Sequence, residues 1–102
     1  MLSSVKSQRL LKQLGVLAAF AGGEELVLVG PSYELRKEPG IRVRLAFLYD
    51  DEQRLCVGCA RADGAEWHVT ESEPFSARAL GYYQRHLKRT GDVIAGSRET
   101  KR

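Results

Sequence analysis

Residues 41–49 read Ile-Arg-Val-Arg-Leu-Ala-Phe-Leu-Tyr, and the two sides of this stretch alternate without a break. Ile41, Val43, Leu45, Phe47 and Tyr49 fall on one side of an extended chain, with Arg42, Arg44, Ala46 and Leu48 on the other. A period of two is incompatible with a helix, so the chain must contain a β-strand with one wholly apolar face, and something must cover that face.

The neighbouring segments supply more strands. Glu24–Gly30 holds four consecutive apolar residues, Leu26 to Val29, as a strand buried on both faces does. Gly30-Pro31-Ser32 and Pro39-Gly40 read as turns around a weakly alternating segment, Tyr33–Glu38. Arg54–Arg61 is predicted as a fourth strand with Leu55, Val57 and Cys59 inward. Ala62-Asp63-Gly64 reads as a hairpin turn, and Ala65–Glu71 as a fifth strand with Trp67 and Val69 inward and His68 outward.

Two helices flank these strands. Leu10, Leu14, Leu17 and Ala21 recur at i, i+4, i+7 and i+11, so one helix is expected from the Ser3/Ser4 cap to Gly22-Gly23. Ser72-Glu73-Pro74 opens a second, with proline at its first position, which runs to about Arg89 and stops at Gly91. Val93 and Ile94 are expected to fold back onto the body. The predicted fold class is therefore α+β, in the order α-β-β-β-β-β-α. It is a two-layer sandwich: an antiparallel sheet of about five strands with both helices on one face. Residues 1–95 form one domain and 96–102 a flexible basic tail.

Charge is distributed unevenly. Residues 1–14 carry three basic residues and no acid, 15–84 seven basic and eleven acidic, and 85–102 six basic and two acidic. Basic ends around an acidic middle suit association with a large charged partner, and they equally serve solubility. No segment reaches the length of a membrane span, and the composition, 43% hydrophobic and 28% charged, is that of a globular chain. Leu14–Ala21 mimics the apolar core of a secretory leader, but Lys12 and Gln13 cut it to the shortest workable length. Two cysteines are too few for a disulfide scaffold, so reduced thiols and a cytoplasmic location are expected.

The last helix carries the sharpest functional expectation. At about 100° per residue, Ala79, Leu80, Tyr83 and Leu87 cluster on one side, and Arg78, Tyr82, Arg85 and Arg89 form a row about 150° away. A row of guanidinium groups around an aromatic ring grips phosphates and stacks on bases. It also suits an acidic groove on a protein. An ordinary solvated helix face would have the same composition. Glu71 and Glu73 at the start of this helix count against phosphate.

The second candidate surface is the sheet face opposite the helices. It is expected to carry Arg42, Arg44, Ala46, Leu48, Cys56, Gly58, Glu66, His68 and Thr70 and to accept a partner or a second copy of the chain. Catalytic and metal chemistry find little purchase. Cys56 and Cys59 have the spacing of a zinc or redox pair, yet residues three apart on a strand face opposite ways. A nucleophilic pair would need Cys56 and His68 on one face, and no activation motif accompanies them. Asp50-Asp51-Glu52 lacks the spacing and glycine of a calcium loop. No cofactor and no metal are therefore expected.

The order of elements is loosely similar to that of a double-stranded-RNA-binding domain, α-β-β-β-α. That family opens its last helix with lysines where this chain has Glu71-Ser72-Glu73, and this chain has more strands, so no family follows from the outline. The expected function is that of a small non-catalytic protein that regulates or adapts a larger protein or nucleoprotein complex. The alternative is a nucleic-acid-associated module using Arg78, Tyr82, Arg85, Arg89 and the basic termini.

Overall fold

A computed structural model describes residues 5–93. In chain order the elements are α1 (Val5–Gln13), α2 (Val16–Ala21), β1 (Leu26–Leu35), β2 (Arg42–Tyr49), β3 (Leu55–Ala62), β4 (Trp67–Pro74), α3 (Ala77–Thr90) and β5 (Gly91–Val93). The strands form one antiparallel sheet in the order β4-β3-β2-β1-β5, so the chain is a mixed α+β fold with a five-stranded sheet.

The alternating stretch is β2, third in this order and paired on both edges. Val43, Leu45 and Phe47 enter the core as their period requires. Leu55, Val57 and Cys59 of β3 lie beside them, and Ala79, Leu80, Tyr83 and Leu87 of α3 join the same cluster. Leu11 of α1 and Val16 of α2 complete it with Val27 and Tyr33 of β1.

Several features differ from expectation. The first helix is two, because Gly15 takes a left-handed conformation (φ 76°, ψ 11°) and redirects the chain between α1 and α2. The punctuation Gly30-Pro31-Ser32 is not a turn between strands. It is an irregularity inside one ten-residue strand, where the register with β2 shifts between Val29 and Tyr33. The fifth strand follows α3 instead of preceding it: Gly91, Asp92 and Val93 pair with Leu35, Glu34 and Tyr33. The last helix begins at Ala77 under the cap of Ser76, whose hydroxyl oxygen accepts from the Ala79 amide at 3.0 Å. Pro74 instead ends β4, an edge strand, where a missing donor is tolerated.

The sheet curls where β4 bends over β3. Thr70 is the extra residue of a bulge, since Cys59 pairs with Glu71 and Ala60 with Val69. This pairing also corrects the expected facing of β4. Trp67 lies opposite Ala62, which lies opposite Arg42, so Trp67 and Val69 share the arginine face and His68 does not. Residues 94–102 lie outside the described residues, and with them Ile94 and the expected tail 96–102. No described helix is long and apolar enough to cross a membrane.

Candidate functional site

Helix α3 presents the arginine row as its sequence period requires. Ala79, Leu80, Tyr83 and Leu87 are at most 5% exposed, whereas Arg78, Arg85 and Arg89 are exposed and Tyr82 is 43% exposed. The helix itself contains no acidic residue, so it offers these cations no carboxylate one turn away, and Asp92 just beyond its end pairs with Arg36. Among the described residues no ion pair involves Arg78, Arg85 or Arg89. The guanidinium of Arg85 lies back over Gly81, where a Cβ would stand 3.2 Å from it.

Two aromatic contacts hold the centre of the row. The Tyr82 ring meets Tyr83 edge-on, with centroids 5.0 Å apart, and stacks on His86 at 6.0 Å with planes 9° apart. Tyr82 therefore projects from a small fixed aromatic group. Beneath it, burial pushes the Tyr83 hydroxyl up to about 12, and the carboxylates of Glu71 and Glu73 push in the same direction.

The second expected surface is largely turned inward. Arg44 is 4% exposed and donates from Nε to the Gly30 carbonyl at 2.7 Å, at the irregularity of β1, so it is a structural residue and not a docking cation. Arg42 stacks its guanidinium over the Trp67 ring at 5.0 Å and donates to the Gly64 carbonyl. Leu48 is half-buried between Leu26 and Cys56. Of the three, Leu48 keeps some accessible surface unengaged by such contacts.

Cys56 and Cys59 are free, buried and on opposite faces, paired with Leu48 and Leu45 respectively. Burial raises both thiols, Cys59 to about 12 with Glu71 adding to the effect. Cys56 and His68 also fall on opposite faces, which removes the arrangement in which they would pair. Among the described residues no group of three His, Cys, Asp or Glu side chains could hold a metal ion. The acidic turn is occupied from within. Asp50 accepts the Glu52 and Arg54 amides at 2.9 Å, and Arg54 bridges Asp50 and Glu52 at 3.0 Å each. The Arg54 amide bond leads in holding the Asp50 carboxyl below its usual range.

Sequence reasoning missed the surroundings of the row's far end. The β1–β2 connection is tied to the last turn of α3 by Arg36, which donates to Asp92 at 2.9 Å and to the Arg89 carbonyl at 3.1 Å. Glu38 in the same connection pairs with Arg61 of β3 at 2.9 Å. Nothing in the sequence marks these contacts, because they depend on the late strand β5 and on the register of β3. Comparison of the chain with models of protein families, with curated proteins and with solved structures finds no match.

Proposed function

We propose that this is a small, non-catalytic, cytoplasmic binding protein that regulates or adapts a larger complex by protein–protein contact. It docks through Arg78, Tyr82, Arg85 and Arg89 and uses no cofactor. The observation that carries the reading is the exposure of Tyr82 among arginines that have no ion pair among the described residues, on a helix with no acid of its own. Solvated helix faces commonly neutralise their cations with carboxylates three or four positions away, and this face leaves its charge for an external group. Tyrosine and arginine are the side chains that most often anchor protein interfaces.

The reading includes a two-layer arrangement in which all the helices lie over one sheet face. It is supported by the single cluster that unites Leu11, Val16, Leu80 and Leu87 with the odd-numbered residues of β2 and β3. Dimerisation through the opposite face is a weaker form of the proposal, since Arg42 and Arg44 are engaged there internally.

The test is a photo-crosslinking side chain at position 82, with one at position 48 for comparison, in cells of the native host. Adducts should form at 82 with a protein, survive nuclease, and disappear when Arg85→Glu and Arg89→Glu are added. Nuclease-sensitive adducts would move the assignment to nucleic acid. Equal labelling at both positions, or none at 82, would remove the helix surface altogether.

A further inference from the structure

We propose that the partner contributes an extended acidic segment carrying one apolar side chain, whose carboxylates run along the α3 arginine row and whose apolar group seats in a groove at its end. This rests on the docking role of the row.

The groove, of about 470 Å³, opens between the last turn of α3, the β1–β2 connection and the β3–β4 ladder. Its floor is apolar, made by Leu35, Val43, Cys59 and Leu87. Lys37 and Arg89 stand on its rim, both exposed and neither in an ion pair among the described residues. Its walls are built before any ligand arrives. The Leu35 amide donates to Ile41 at 2.9 Å, Arg36 ties the connection to α3 and β5, and Glu38 ties it to Arg61. A site preformed in this way avoids the entropy of ordering a loop on binding.

Arg89 belongs to both surfaces, so row and groove are continuous. From Arg78 to Arg89 the helix rises about 16 Å. An extended segment of about five residues covers that length. Three arginines and Lys37 then meet carboxylates, while the floor takes an aliphatic or aromatic group. The end of the helix does not oppose this. The carbonyls of His86, Leu87, Arg89 and Thr90 already accept from Thr90, Gly91 and Arg36. The groove is a poor seat for a nucleobase, because its one ring, His86, is already stacked on Tyr82.

A displayed random dodecapeptide library panned against the full chain tests the proposal. Recovered peptides should share acidic residues around one apolar position. In fluorescence anisotropy such a peptide should lose at least ten-fold in affinity with Thr70→Tyr, which fills the groove from an exposed position, and with Lys37→Glu. Circular dichroism checks that these variants fold, and Lys37→Arg should restore binding. No enrichment, or a consensus lacking either the acids or the apolar position, overturns the proposal. Loss with Arg78→Glu/Arg85→Glu but not with Thr70→Tyr or Lys37→Glu overturns the groove alone and leaves the row standing. Loss with none of these variants overturns both.

Discussion

A Cβ placed on Gly58 would stand 2.6 Å from the Cα of Ser72 and closer still to the carbonyl oxygen of Glu71. The obstruction is backbone on both counts, so no side chain can rotate away. Gly58 sits beside the bulge at Thr70, where β4 bends across β3. Gly58→Ala should therefore lower stability by about 3 kcal/mol or prevent folding. Urea denaturation checks this, and a loss of well under 1 kcal/mol would mean that the two strands do not approach so closely.

Gly15 gives a test whose sign decides. In one continuous helix, Gly15→Ala would stabilise the protein by up to about 1 kcal/mol. At φ 76° with open space around it, the same substitution meets only backbone strain and should destabilise by about 1 kcal/mol. The midpoint of urea unfolding separates the two outcomes.

Alkaline pH should weaken the fold ahead of general denaturation. Burial raises Cys59 from 9.0 to about 12 and Tyr83 from 10.0 to about 12, so the folded chain holds both protons after the unfolded chain has released them. The stability from these groups is complete below about pH 9 and is lost as pH rises towards about 12. In Cys59→Ala and Tyr83→Phe the slope of stability against pH should flatten over that window, whatever the absolute loss. For the same reason, a disulfide reagent should modify the two thiols only as fast as the protein opens.

Arg85→Glu with Arg89→Glu should leave the domain folded. Both side chains are exposed, and the main penalty is negative charge near the end of α3, about 1 kcal/mol in total. Thermal melting followed by circular dichroism gives the answer. A cooperative transition displaced by only a few degrees is expected, and its disappearance would mean that the row is structural.

Much of the architecture could be read where one period dominates. The alternation of Ile41–Tyr49 survives as β2, and the stripe Ala79, Leu80, Tyr83, Leu87 is the buried side of α3. Both rest on local patterns that packing reinforces. Non-local pairing hid the rest. Gly30-Pro31 looks like a turn until β2 and β5 bind the two halves of β1 into one strand, and Gly91 looks like a helix stop although it also begins a strand. The facing of Trp67 depends on pairing with Ala62 across a four-residue connection, and one shift of register would reverse it. The burial of Arg44 is hidden for a related reason. The alternation places it opposite the core, but nothing local reveals that the Gly30 carbonyl waits there.

The placement of β5 also bears on how the protein is made. Its three residues join β1, which is synthesised far earlier, so a chain leaving the ribosome cannot complete its sheet until position 93 is free. Until then Tyr33, Glu34 and Leu35 wait with an open edge, a stage of biosynthesis at which a nascent chain is most exposed to mispairing.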